Sequence, residues 1–485
     1  MQIIINNHPF RYEMENIARQ FFAHKEIEIK YDKIAPDTEY VLTEIRGDSI
    51  FVSVCADAKR QEKSEKIISD IEIDIEWQMA RLLYDCLSSL TGKTQKWGLL
   101  TGVRPTRLVH RMLDEGKTPA EIRDRFINFY NVSEEKFRLV YQTAKNERPI
   151  ISKPDDRDFS LYISIPFCPS RCNYCSFVSS SIEKFAHIIP EYVEYLSKEI
   201  EFTAKIVKRQ NLRLKSVYFG GGTPTTLSAE QLAFLMGKIQ ENFDLSSVNE
   251  YTVEAGRPDT VTEEKLRIIK EMGADRININ PQTFNDEVLK IIGRKHTTEQ
   301  TLKAYDIAQK IGFKTINMDL IAGLSGDSFE SFVSSLEKAI SLSPENITLH
   351  TLTVKRAADL SQNARQTVMD SQYLTEKMVE ASFEKFYEGQ YAPYYMYRQK
   401  GTLSNLENVG YCKEGHEGFY NIYIMDEVHS ILALGAGAVT KLKVNSKNDI
   451  QRIFNYKFPI EYIRDFDNII NRKREVESFF EKHSF

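Results

Sequence analysis

The sequence is poor in cysteine. Six in 485 residues are too few for a disulfide scaffold. No uninterrupted apolar run approaches the roughly 20 residues that a membrane-spanning helix needs. The first residues, MQIIINNHPFRYEMENIARQ, lack the cationic start and long apolar core of a signal peptide. There is no basic excess either. The net charge of −5 argues against a general nucleic-acid or membrane-surface binder, while leaving room for a local basic pocket. No short-period repeat or long low-complexity tract interrupts the chain. These absences point to a reduced, cytoplasmic, globular protein without a membrane span or a nucleic-acid partner. At 42% hydrophobic residues it can bury a full core, and its length calls for two or three domains.

Strand-like QIIINN and SIFVSVCA, followed by helical patterns at 76–89, 104–113 and 119–145, make the first 150 residues α+β material. Cys55 and Cys86 fall in these patterns and read as buried, inert thiols. Asn146–Asp158, NERPIISKPDDRD, has two prolines and several charges, and reads as a linker. Beyond it six short apolar runs (161–165, 216–220, 251–255, 276–280, 315–321 and 346–352) alternate with amphipathic helical stretches. Six βα units imply an α/β domain with a parallel sheet and right-handed crossovers, either an open doubly wound sheet or a curved partial barrel. In both, chemistry belongs at the C-terminal strand ends.

At the end of the first run stands IPFCPSRCNYCSF (Ile165–Phe177), which holds Cys168, Cys172 and Cys175. A structural zinc site needs a fourth ligand, and the nearest histidine, His187, lies in a helical pattern at an unusual offset. Three thiolates on one loop suit a [4Fe–4S] cluster with one open iron better. Tyr174 and Phe177 would shield it from water. After the second run comes YFGGGTPTTL. It lacks the spacing of a dinucleotide-binding loop or a P-loop; alone it reads as a tight strand-to-helix turn whose glycines also permit close approach to a ligand.

With an aromatic Tyr174 before the third cysteine, the C-x₃-C-x₂-C run resembles the radical S-adenosylmethionine (SAM) enzymes. The resemblance implies that SAM chelates the open iron through its amino and carboxylate groups. An electron from the cluster then cleaves the sulfonium bond, giving a 5′-deoxyadenosyl radical that abstracts hydrogen from carbon. It also implies a partial (β/α)6 TIM-like barrel at 151–390, an N-terminal α+β accessory domain at 1–150 and a C-terminal lid or accessory region at 391–485. The spelling GGGTPT is similar to the branch that contains oxygen-independent coproporphyrinogen III oxidase and the haem chaperones. Tyr162, Gly221, Gly222, Thr223, Glu254, Gln282, Arg294 and Asp319 fall, in order, on that branch's SAM-contacting positions. The stretches WGLLTGVRPTR (97–107), PYYMYRQK (393–400), NLENVGYCK (405–413) and LALGAGAV (432–439) resemble the HemZ-type coproporphyrinogen dehydrogenases within it.

What this implies is an oxidoreductase converting two propionates of coproporphyrinogen III to vinyls, which yields protoporphyrinogen IX in haem biosynthesis. The alternatives are a haem chaperone of the same branch or another radical SAM reaction on a tetrapyrrole. A low-potential electron donor is required. The sequence departs from the oxidase pattern at Phe177, where a fourth cysteine is usual, at Ser164 in place of histidine, and at Glu254–Pro258, EAGRP in place of EVDP. A substrate with four propionates needs cations, and Arg104, Arg257, Arg356 and Arg398 are the candidates, with Lys355 and Lys400 beside them and Tyr394, Tyr395 and Tyr397 as walls. Cys412 is open to three roles: buried thiol, hydrogen donor or extra ligand.

Overall fold

A computed structural model describes residues 1–22, 25–31, 38–152, 154–177, 179–352, 362–399, 406–445 and 450–483. By contact the chain divides into two units. One comprises Met1–Ala144 with Thr353–Glu376 and Met396–Asn408; the other comprises Lys145–Leu352 with Lys377–Tyr395 and Val409–Phe485.

In the first unit β1 (Gln2–Asn6), β2 (Glu28–Lys30), β3 (Tyr40–Arg46), β4 (Ser49–Ala56) and β5 (Lys59–Lys66) form a sheet in the order β2-β1-β3-β4-β5. Helices Arg11–Phe21 and Glu72–Thr91 bury Met14, Ile17, Met79, Leu83 and Leu87 against it. Cys86 is buried in that core, whereas Cys55 is only partly covered. The edge strand β5, KRQEKSEK, is almost wholly exposed and charged, which discourages edge-to-edge pairing. Three of the motif stretches meet in this unit. Glu407 accepts from Trp97 Nε1 at 2.8 Å and from Lys136 Nζ at 2.6 Å, and the Arg398 guanidinium lies 4.8 Å from the Trp97 ring centre. The region expected as one C-terminal lid at 391–485 is therefore divided: Met396–Asn408 fold with the N-terminal residues.

Asn146–Asp158 is not a linker. Helix Glu134–Ile151 runs through Pro149, which lies in its last turn and so removes only one hydrogen bond. The aspartates are tied down as well: Asp155 and Asp158 hold Arg213, and Asp156 accepts from the Asn445 amide.

In the second unit the six expected strands are β6 (Asp158–Ile165), β9 (Arg213–Gly221), β10 (Glu250–Glu254), β11 (Arg276–Asn278), β12 (Thr315–Ala322) and β13 (Asn346–Thr351). The short pair β7 (Phe167–Cys168) and β8 (Ser180–Ser181) flanks the cysteine loop. The six are parallel and adjacent in sequence order. A doubly wound sheet reverses order at a switch point; this one does not, and it is the partial (β/α)6 barrel. Two of its helices start on reciprocal capping boxes, Ser228–Gln231 and Thr297–Gln300.

The sheet continues beyond the six at both edges. β14 (Ala392–Arg398) and β15 (Glu407–Cys412) extend it past β13. β16 (Ser430–Leu434) lies parallel to β6, followed by antiparallel β17 (Val439–Lys443) and β18 (Ile450–Phe454). The turn after β16 is anchored by a buried ion pair. Glu199 and Lys473 meet at 3.1 Å, and Glu199 also accepts from Gly435 N, Asn455 Nδ2 and Tyr462 Oη.

Candidate active site at the strand ends

Side chains alternate across each strand of the barrel, and the alternation here separates apolar from polar. Leu161 and Ile163, Val217 and Phe219, Tyr251 and Val253, and Ile316 and Met318 are buried. The other face carries Tyr162, Tyr218, Glu254, Asn278, Asn317, Asp319, Thr348 and His350, which contact one another across the strands. Tyr218 Oη donates to Glu254 Oε1 at 2.6 Å and accepts from Asn278 Nδ2 at 3.3 Å. Asn317 Nδ2 donates to Asp319 Oδ1 at 2.7 Å, Thr348 Oγ1 donates to Asn317 Oδ1 at 3.0 Å, and His350 Nε2 is 3.6 Å from Asp319 Oδ2. A packed α/β barrel fills its interior with branched aliphatics. This interior is a polar chamber.

Three tyrosines stack in it. Tyr218 and Tyr420 have centroids 4.4 Å apart, and Tyr162 lies 6.0 Å from Tyr218 and 6.1 Å from Tyr420. Tyr420 comes from helix Phe419–Asp426. Tyr218, Tyr420, Asn278 and His350 escaped the sequence reading, which treated each strand as one apolar run. The period-two placement of polar residues in line with Tyr162, Glu254 and Asp319 is the signal that finds the strand members of this set.

Electrostatics set the two carboxylates apart. Burial, reinforced by Asp319, raises Glu254 to about 7 despite the Tyr218 hydrogen bond. Burial also works to raise Asp319, but His350 and Asn317 hold it below its ordinary value. Near neutrality Glu254 can carry or release a proton, while Asp319 stays ionised.

The glycine run is bound to the cysteine segment. Gly222 N donates to Ile165 O at 2.8 Å and Thr223 N to Phe167 O at 2.7 Å. A Cβ at Gly222 would lie 2.5 Å from the Phe167 carbonyl oxygen, so close backbone contact requires glycine there. Gly221 holds φ +107°. Thr223 Oγ1 lies 3.5 Å from Cys168 Sγ. With these amides engaged, an amine ligand would find carbonyl oxygens and the Thr223 hydroxyl.

The cysteines sit on one loop, Cys172 buried and Cys168 and Cys175 partly covered. Cys175 N donates to Cys172 O at 3.1 Å, and burial raises the Cys168 and Cys175 thiols. No fourth protein ligand comes from His187, which is exposed on a short turn. Tyr174 packs on Val288, Leu289, Ile292, Ile321 and Leu324. Phe177, expected as a water shield, is 65% exposed. Cys412 is buried in β15 opposite Asn346, at the start of β13 and thus at the other end of the barrel from the cysteine loop. It is a buried thiol, out of reach as a ligand or hydrogen donor.

The remaining candidates are distributed unevenly. Arg294 Nη1 bridges Gly256 O and Asn280 O, both at 3.0 Å, and its Nε reaches Tyr174 Oη at 3.2 Å. Gln282 adopts φ +68°, a conformation uncommon for a side-chain-bearing residue. It is locked there by hydrogen bonds from Gln282 N to Asp319 O and from Ile321 N to Gln282 O. Arg257, expected at a substrate carboxylate, is instead folded onto the cysteine loop. Arg398, expected there too, donates to the carbonyls of Leu100 and Gly102 in the first unit, and Arg104 is half-buried in that unit. Arg356, Lys355 and Lys400 lie outside the described residues. Tyr394, expected as a wall, hydrogen-bonds the Arg276 guanidinium at the start of β11.

The chamber fits a polar cofactor. Asn278 Oδ1, Asn280 Oδ1 and Gln282 Oε1 are buried without a hydrogen-bond partner, a costly state for the folded chain. Together with Glu254 and Asp319 they offer acceptors for hydroxyl and amino groups, beside three thiolates suited to iron.

Over 97% of its length this chain is 35% identical to the oxygen-independent coproporphyrinogen-III oxidase-like protein HemZ of Bacillus subtilis, covering 96% of that protein. The sequence pattern of the Radical SAM superfamily matches residues 162–339. The chain belongs to the radical SAM superfamily. As in the rest of that superfamily, its cofactors are a [4Fe–4S] cluster and SAM. The haem chaperone HemW of the same organism is 39% identical over 40% of this chain and 51% of its own. The structure of coproporphyrinogen III oxidase (HemN) from Escherichia coli aligns over 66% of this radical SAM chain and 71% of its own, at 21% identity and a TM-score of 0.48. Among the described residues no helix is long and apolar enough to cross a membrane.

Proposed function

We propose that this radical SAM protein is an oxidoreductase that decarboxylates propionates of coproporphyrinogen III to vinyls. The observation that supports the reading is its likeness, across nearly the whole of both chains, to a protein named as oxygen-independent coproporphyrinogen-III oxidase-like. The haem chaperones it resembles match less of this chain, between 40% and 63% of it.

Cys168, Cys172 and Cys175 would hold the cluster. Tyr162, Gly221, Gly222, Thr223, Glu254, Gln282, Arg294 and Asp319 would hold SAM. Once bound, this pair supplies a carbon-centred radical that takes hydrogen from unactivated carbon. Asp319, kept ionised, would accept from hydroxyl groups of the cofactor. Glu254 would take a second hydroxyl or amine once its proton is released. The stacked tyrosines Tyr162, Tyr218 and Tyr420 would wall the chamber with ring faces and help keep water from it. A low-potential donor and an electron acceptor complete the cycle.

A second reading, a haem chaperone of the same branch, is favoured by one observation. Phe177 stands where the oxidase pattern has its fourth cysteine.

The test is an anaerobic incubation of reconstituted protein with SAM, a low-potential reductant and coproporphyrinogen III. Protoporphyrin and 5′-deoxyadenosine forming together, and both lost in Cys172→Ala, support the decarboxylase. Stable stoichiometric haem binding with no SAM cleavage supports the chaperone instead. 5′-Deoxyadenosine without a new porphyrin would leave the radical chemistry standing and remove the substrate.

A further inference from the structure

Arg257 lies three residues beyond the end of β10, in the EAGRP stretch where the sequence departs from the oxidase pattern. It is 3% exposed, and its guanidinium is directed at Ser170 and Cys172 of the cysteine loop. Nε and Nη2 pair with Asp259 Oδ1 and Oδ2, each at 3.1 Å. Nη1 donates to Ser170 O and Nη2 to Ser170 Oγ, each at 3.1 Å. Nη1 also lies 3.9 Å from Cys172 Sγ. A guanidinium has five N–H groups, and these five contacts engage all of them. None remains for a propionate.

The loop is gripped from the other side too. Ser170 Oγ donates to Gly293 O at 3.0 Å, and Asn173 Nδ2 donates to Ile291 O at 2.9 Å. Arg257 adds what these neutral contacts cannot, a permanent positive charge against one of three cysteine sulfurs. The planar fork also fixes that charge in direction, which a lysine would not do.

We infer that Arg257 is a positioning residue of the iron–sulfur centre: clamped by Asp259, it holds the cysteine loop in ligating shape and stabilises the negative charge at Cys172. This rests on the reading of Cys168, Cys172 and Cys175 as cluster ligands. Reduction adds an electron to a centre already made negative by its thiolates. A cation hydrogen-bonded to a ligand sulfur favours the reduced form and raises the potential. Asp259 opposes this by partly cancelling the charge. The two residues therefore have opposite electrical effects although both belong to one clamp.

The test is a redox titration of the anaerobically reconstituted full-length protein, followed by electron paramagnetic resonance of the reduced cluster, without SAM or tetrapyrrole. Arg257→Gln is expected to shift the midpoint to more negative potential, Arg257→Lys by less, and Asp259→Asn to more positive potential. Loss of iron from Arg257→Gln would support the loop-holding role, and Arg257→Lys and Asp259→Asn then carry the electrical test. Variants that retain wild-type iron with unshifted midpoints overturn the inference, as do shifts of the same sign in Arg257→Gln and Asp259→Asn. Wild-type protein that takes up no cluster would instead overturn the ligand assignment, so the two failures are distinguishable.

Discussion

Tyr218 and Glu254 share a 2.6 Å hydrogen bond between adjacent parallel strands, inside a barrel whose other face is mainly apolar. That contact restrains Glu254 but does not offset its burial, and the carboxyl titrates at about 7.

The raised value fixes a pH dependence. Between the unfolded carboxyl's 4.5 and the folded value of about 7, the folded chain keeps a proton that the unfolded chain has released. Stability from this group therefore falls as pH rises through that window, and no penalty exists below it. The full penalty above it is on the order of 3 kcal/mol. In the absence of SAM, Glu254→Gln should be more stable than wild type at pH 8 by about that amount and equal to it near pH 4. Urea midpoints of both proteins across pH 4–8 check this. A constant offset would contradict it.

Removing the hydroxyl of Tyr218 should push Glu254 higher still. Tyr218→Phe takes away a hydrogen bond that favours the carboxylate. The Glu254-dependent stability loss, which still begins near the unfolded value of 4.5, should then extend to higher pH and be larger than in wild type, and SAM affinity at pH 7 should drop several-fold. Isothermal titration with SAM at pH 7 and pH 9 would show a larger recovery at pH 9 in the variant.

The buried pair under the β16 turn should be intolerant of single changes. Lys473→Met leaves Glu199 buried without its cation, held only by the neutral donors Gly435 N, Asn455 Nδ2 and Tyr462 Oη, and should cost about 3–5 kcal/mol. Pairing it with Glu199→Gln should restore most of that loss. Denaturant unfolding of the single and double variants gives the comparison, and equal losses in both would contradict the expectation.

Gly222→Ala should damage iron loading before it damages the barrel. The new methyl would meet the Phe167 backbone at 2.5 Å, and backbone cannot swing aside as a side chain does. Iron per protein after reconstitution should fall well below wild type while far-ultraviolet circular dichroism stays near native. Wild-type iron content would show that the loop adapts.

Much of this architecture is legible in the sequence because it depends on local pattern. Six strand runs and the cysteine spacing are short-range signals. The tyrosine stack was not legible. Tyr420 reaches Tyr162 from the far end of the chain, and nothing near FYNIYIM marks that destination. Arg257 shows the opposite limit. Its sequence context suggested a free cation near substrate, but Asp259, two residues away, and Ser170 determine where the guanidinium goes. Pro149 read as a breaker because the rule concerns helix interiors, and this proline stands in a last turn.

The strand leading into the cysteines has an outer neighbour from very late in the chain. Ser164 Oγ donates to Ala436 O across 272 residues of sequence, and β16 pairs along most of β6. During synthesis β6 is therefore an unprotected edge until Ser430–Leu434 emerge. The strand that carries the chain into the cysteine loop is thus closed by residues made long after the loop itself, and the barrel stays open on that side while its other strands are synthesised.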